Sequence, residues 1–120
     1  MTLDLTNLHP GLTGTASVLA DPPRSARSVG SGTLDVFATP MMVALMEAAA
    51  CDCVERYLPE GATSLGTHID VSHEAASPIG MQVHATATLS AVDGRALTFT
   101  LEARDARGPI GRGTHKRVVV

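Results

Sequence analysis

A chain of 120 residues, 44% hydrophobic and 18% charged, is long enough for one core and too apolar to stay disordered. A net charge of −3, with one Tyr, two Phe and no Trp, supplies neither the basic face nor the stacking aromatics that nucleic-acid binding needs. The opening Met-Thr-Leu-Asp-Leu-Thr lacks both the basic start and the apolar stretch of a secretory signal, so the expectation is a cytoplasmic protein.

In chain order, His9-Pro10-Gly11 reads as a loop, and Leu12 to Ala20 as a strand ended by Asp21-Pro22-Pro23. Arg24 to Val29 is expected as an edge-like extended piece, and Gly30-Ser31-Gly32 as a flexible connector. Thr39-Pro40 is a helix start: a hydroxyl N-cap, then proline where its missing N–H costs nothing. The helix should run from Pro40 to Tyr57 and stop before Pro59-Glu60-Gly61. From Met41 to Ala50 only Glu47 is polar, so this helix is apolar all round and must be buried. It is too short for a membrane span, which takes about 20 apolar residues. Cys51 and Cys53 stand two apart on it and point in different directions, which predicts two reduced, structural thiols.

Beyond Gly61 the pattern changes to period two. In Leu65 to His73, the alternation groups Leu65, Thr67, Ile69, Val71 and His73 on a core face, opposite Gly66, His68, Asp70 and Ser72. Ser77-Pro78-Ile79-Gly80 is a turn, and Met81 to Val92 alternates with Met81, Val83, Ala85, Ala87 and Leu89 inward. Asp93-Gly94 is a hairpin signal, Arg95 to Arg104 alternates again, and Arg107-Gly108-Pro109 leads to a last strand from Ile110 to Val120. The fold class is therefore α+β: one strand, one long helix, then four strands in an antiparallel sheet of neighbours. A curved sheet covers one side of an all-apolar helix. The other side calls for a second copy of the chain, so burial alone argues for a homodimer.

Three residues carry candidate chemistry. Glu47 is either a carboxylate at the helix edge, reaching solvent or pairing with Arg, or one buried among apolar neighbours, costly without a partner and prone to a shifted pKa. His73 falls on the core face of its strand, where an imidazole can serve as general base. Thr39 is a plain cap or, at a helix N-terminus, a hydroxyl beside N–H groups that favour an oxyanion. Thr39 and Glu47 are separated by a rise of about 12 Å along the helix and cannot touch within one chain. A dimer could bring Thr39 of one copy to Glu47 of the other. His68 and Asp70 share a strand face but lack a third metal ligand, so no metal is expected. His9, His84 and the His115-Lys116-Arg117 run read as surface, the last with an option of anion contact.

The segments Val36 to Glu47, Ser64-Leu-Gly-Thr67, Val71-Ser-His73 and Gly113-Thr-His-Lys-Arg117 resemble, in sequence and spacing, the fluoroacetyl-CoA thioesterase family of hotdog-fold proteins. The resemblance covers about residues 34–120. It implies one hotdog domain over residues 1–120, an antiparallel sheet wrapped around one central helix and paired into dimers. Residues 1–33 hold the first strand and a flexible lid or connector. It implies a catalytic set of Thr39, Glu47 and His73, with Gly66 and Arg117 as substrate-binding residues. Arg117, with Lys116 and Arg112 beside it, is expected to meet CoA phosphates.

Two departures are visible: Pro40 replaces a small residue, and Gly30 to Asp35 lacks the aromatic cover of the fluoroacetyl-specific branch. The reading is thus a hydrolase of small or medium acyl-CoA thioesters. It needs no cofactor beyond the CoA of its substrate, and it has no nucleic-acid or membrane partner. Pairing of dimers into tetramers stays open, as do an acyl-CoA or small apolar ligand carrier and an enoyl-CoA hydratase-like enzyme.

Overall fold

The computed structural model describes residues 3–120; Met1 and Thr2, part of the non-basic opening, lie outside the described residues. The first strand, β1 (Thr13–Leu19), is followed by a 3₁₀ turn (Pro22–Arg24) and a one-turn helix, α1 (Ala26–Val29). This replaces the extended piece expected at 24–29. Ser25 explains the difference, because its hydroxyl accepts from the Ser28 N–H at 3.1 Å and caps the turn. Gly30 then ends it in the left-handed conformation, at φ 79°.

The long helix, α2, spans Thr39–Val54 and runs into a 3₁₀ turn at Glu55–Tyr57. Its cap is Ala38 rather than Thr39. Ala38 has extended dihedrals, and its carbonyl accepts from the Met42 N–H at 3.0 Å. Thr39 is therefore the first helical residue and its hydroxyl is free for another partner. Met42, Leu45, Met46, Ala49, Ala50, Cys53 and Val54 are buried. Ala44 and Ala48 are exposed, and Met41, Val43, Glu47 and Cys51 are partly so. The sheet thus covers only one side of the helix, as its all-apolar sequence predicts. Cys51 and Cys53 are free thiols, and burial raises the Cys53 pKa.

Four more strands follow: β2 (Ser64–His73), β3 (Gln82–Asp93), β4 (Ala96–Asp105) and β5 (Gly108–Val119), in one antiparallel sheet ordered β1-β3-β4-β5-β2. The hairpins β3-β4 and β4-β5 form as expected, with Gly94 at φ 58° in the first turn. Strand β2 does not neighbour β3. It pairs with β5 at the far edge, and residues 74–81 cross back to β3. That crossing is pinned from below. Ser77 Oγ donates to Asp105 Oδ2 at 2.8 Å, the Arg107 N–H donates to Oδ1 at 2.8 Å, and the Arg107 side chain holds the Ala76 carbonyl. Burial alone would raise the Asp105 carboxyl, but these hydrogen bonds hold it below its ordinary pKa.

The alternation expected in β2 breaks once. A bulge at Thr67 separates the pairs Gly66↔Arg117 and His68↔Lys116. One extra residue flips the parity, so Ser64 and Gly66 face the helix before the bulge, and Ile69, Val71 and His73 after it. Leu65, expected inside, is 54% exposed. In β3 the alternation holds as far as Leu89, where a register shift at Ser90 breaks it, and it holds through β4; Val83, Ala85, Ala87, Leu89, Leu97, Phe99, Leu101 and Ala103 are buried.

Strand β1 passes close against the backbone of α2. A Cβ on Gly14 would collide with the Cys53 nitrogen and the Ala49 carbonyl, both helix backbone. Gly14→Ala is expected to destabilise the chain by ~3 kcal/mol or more, because backbone cannot yield as a side-chain tip can. Urea unfolding of the variant against wild type measures it.

Candidate active site

The turn of chain that places Ala38 at the cap sends the Thr39 side chain toward the end of β2. There Thr39 Oγ1 lies 2.7 Å from Nδ1 of His73. Nε2 of the same ring is buried and has no partner among the described residues. Burial lowers the His73 pKa below 6.5, and the Ala75 backbone offsets this only in part. The imidazole is accordingly neutral near pH 7 and able to take a proton. No acceptor meets the Thr39 N–H among the described residues, whereas the N–H groups of Met41 and Met42 both reach the Ala38 carbonyl. A hydroxyl, a neutral imidazole and a free N–H thus meet at one helix N-terminus. They border a cleft of about 220 Å³ between Phe37, Ser31 and Ala75.

Glu47 belongs to a second cluster, two turns along the helix. Of the two readings of Glu47, its position fits the helix-edge carboxylate paired with Arg rather than the buried one: its side chain is 43% exposed, and Oε2 lies 3.7 Å from Nη1 of Arg117. Arg117 itself is buried, only 7% exposed. Its Nε donates to Ser64 Oγ at 2.8 Å and its Nη2 to the Ser64 carbonyl at 3.0 Å. The expected solvated strand end is thus corrected: Arg117 is buried and lies beside Glu47. Arg112 is exposed and paired with Glu74 at 3.0 Å. Lys116 is also exposed.

Gly66 joins the same cluster because of the bulge. A Cβ there would stand 3.1 Å from Glu47 Oε2 and 3.2 Å from Cε1 of His115. The missing side chain leaves a hollow where Glu47, His115 and the β2 backbone meet. His115 was expected at the surface and is 1% exposed. Its ring stacks on Phe99 with centroids 6.0 Å apart, Nδ1 lies 2.7 Å from the His68 carbonyl, and Nε2 lies 3.1 Å from Arg117 Nη1. Period-two reading could not find it, because Val118, Val119 and Val120 are apolar on both faces of the strand.

Of the expected site residues, the structure joins Thr39 to His73, and Glu47 to Gly66 and Arg117. It keeps the two groups apart within one chain. His9 and His84 are exposed as expected, the latter 2.6 Å from Ser17 Oγ. His68 and Asp70 are exposed, and among the described residues no three potential metal ligands converge. No helix among those residues is long and apolar enough to cross a membrane.

Comparison with known proteins gives a consistent picture. The family model FlK, fluoroacetyl-CoA-specific thioesterase, matches residues 21–120. A fluoroacetyl-CoA thioesterase of Streptantibioticus cattleyicolor is 48% identical over 86 residues, which is 72% of this chain and 62% of that protein. The match thus spans less than two thirds of the relative's length. The crystal structure of a variant of the fluoroacetyl-CoA-specific thioesterase FlK with fluoroacetate and CoA is similar at a TM-score of 0.88 and 38% identity, covering 94% of this chain and 95% of that one. A Thermus thermophilus hypothetical protein of the thioesterase superfamily is similar at a TM-score of 0.86 and 26% identity, covering 93% and 83%. A hot-dog-like protein from Thermanaerovibrio acidaminovorans is similar at a TM-score of 0.84 and 26% identity, covering 92% and 82%.

The environment of His73 makes its titration a direct check on this geometry. Its ring-proton NMR signal should titrate with a midpoint below 6.5, the ordinary imidazole value, and Thr39→Val should perturb that midpoint by removing the Nδ1 partner. A wild-type midpoint at or above 6.5 contradicts the buried placement.

Proposed function

The chain belongs to the fluoroacetyl-CoA-specific thioesterase family, and from that membership we propose that it hydrolyses acyl-CoA thioesters carrying a small or medium acyl group. The observation that carries this reading is the 2.7 Å contact of Thr39 Oγ1 with the neutral His73 imidazole at the start of α2. Nucleophile and base within hydrogen-bond reach are what acyl transfer needs. Thr39 Oγ1 attacks the thioester carbonyl carbon and passes its proton to His73. The oxyanion faces the helix N-terminus and the free Thr39 N–H. The C–S bond then breaks, and the departing CoA sulfur takes the proton from His73. Water, deprotonated by the same imidazole, attacks the acyl-threonine carbonyl; the C–Oγ1 bond breaks, the imidazolium returns its proton to Thr39 Oγ1, and the acid is released. The reaction needs no cofactor beyond the CoA of the substrate.

A base of this kind works best when a third group orients it. Nε2 of His73 is buried and unpartnered among the described residues, and the carboxylate on the same helix is about 12 Å away by helical rise. In this proposal Glu47 of a second copy supplies that partner. The homodimer pairs through the exposed Ala44–Ala48 face of α2 and the free edge of β2, where Leu65 and Ile69 are 54% and 39% exposed. Selectivity for the fluoroacetyl group is not part of the proposal, since Gly30 to Asp35 presents Leu34, 65% exposed, and no aromatic ring.

A thiol-release assay over acetyl-, fluoroacetyl- and medium-chain acyl-CoAs tests the reaction. Turnover is expected, with His73→Ala lowering kcat by roughly 10²-fold or more; binding without thiol release sinks the reading. The rate should rise with pH through a midpoint below 6.5, because the active form is the unprotonated imidazole and burial lowers its pKa. Mixing Thr39→Ala and Glu47→Ala chains, each inactive alone, tests the shared site. Hybrid dimers should recover activity through one intact site, and hybrids shown to form yet remain dead rule out sharing.

A further inference from the structure

We infer that His115 and Ser64 are positioning residues: they lock the Arg117 guanidinium so that its Nη1 edge holds Glu47 beside the Gly66 hollow. The inference builds on the thioesterase reading above, in which Glu47 orients the catalytic imidazole.

The geometry admits one protonation state for His115. A guanidinium only donates, so Nε2 of His115, 3.1 Å from Arg117 Nη1, must accept. The His68 carbonyl only accepts, so Nδ1, 2.7 Å from it, must carry the proton. His115 is therefore the neutral Nδ1–H tautomer. Burial favours the same form, against the pull of the His68 carbonyl and with the help of the Arg117 charge. The Phe99 ring stacked at 6.0 Å fixes the plane in which Nε2 points.

Ser64 takes the opposite side of the guanidinium, its hydroxyl receiving Nε at 2.8 Å and its carbonyl receiving Nη2 at 3.0 Å. All three nitrogens are engaged, and the planar fork cannot turn. What remains is the second N–H of Nη1, which faces Glu47 Oε2 at 3.7 Å. Glu47 is a flexible side chain on an exposed helix face, and Arg117 is its ionic contact in the chain among the described residues. Oε2 is held on one side, leaving Oε1 for the imidazole it would orient. The bulge at Thr67 is part of this arrangement, since it turns both Ser64 and Gly66 toward the helix.

Two substitutions separate positioning from packing. His115→Leu keeps an apolar side chain against Phe99 but removes the acceptor for Arg117. His115→Gln can accept from Arg117 through its oxygen and donate to the His68 carbonyl through its nitrogen. In the thiol-release assay, His115→Leu should lower kcat about 10-fold or more by misplacing Glu47, and His115→Gln should restore most of it. In a Glu47→Gln background, His115→Leu should have no further effect.

Wild-type kcat in a folded His115→Leu variant overturns the inference. So does an equal loss with and without Glu47, which marks a general packing defect. Absence of turnover in the wild type refutes the thioesterase reading alone. The network is then read from imidazole ¹⁵N spectra of the wild type, which also serve if His115→Leu fails to fold. An Nδ1–H tautomer at neutral pH, with a resolved Arg117 Nε–H resonance that Ser64→Ala removes, supports it; an Nε2–H tautomer or an imidazolium overturns it.

Discussion

Helix α2 has one polar side chain between Met41 and Ala50, and a five-stranded sheet can cover only the side it wraps. Everything else in the molecule answers to that mismatch. The covered side is packed tightly enough for β1 to need glycine at Gly14, where it crosses the helix backbone. The uncovered side keeps small residues, Ala44 and Ala48, and carries two polar points, Thr39 at one end and Glu47 further along. Small side chains there leave room for close approach by another surface, and apolar area left in water gives that approach its driving force.

The two polar points are built on different physical terms. At Thr39 the imidazole of His73 is half-buried and neutral, and the helix start contributes a free N–H and the positive end of its dipole. That end favours charge that develops during a reaction. At Glu47 a permanent charge is held by a permanent countercharge, and Arg117 stays charged in a nearly dry position because Ser64, His115 and Glu47 satisfy it. A lone buried guanidinium would be costly; one with three partners is a fixed reference point for the carboxylate.

Strand β2 links the two clusters, and a single extra residue sets the relation between them. Without the bulge at Thr67, a strand that turns His73 inward would turn Gly66 outward. The crossing from β2 to β3, pinned by Asp105, Ser77 and Arg107, holds the His73 end of the strand in place.

Much of this was legible in the chain. The all-apolar run, its proline start and the period-two strands determined the class of fold. The segments Val36 to Glu47, Ser64 to Thr67, Val71 to His73 and Gly113 to Arg117 pointed to the family. Local pattern carries such information because a buried face repeats at the period of its element. Tertiary structure alone decided the rest. That Ala38, not Thr39, caps the helix depends on backbone dihedrals that no propensity distinguishes. That β2 lies beyond β5 depends on long-range pairing, and that Gly66 faces inward depends on a bulge, which period-two reading cannot see. His115 and Arg117 were taken for a solvated strand end because two cations beside a histidine look exposed. Their burial is stable only once Ser64, His68, Phe99 and Glu47 are folded around them, and those partners come from three separate stretches of the chain.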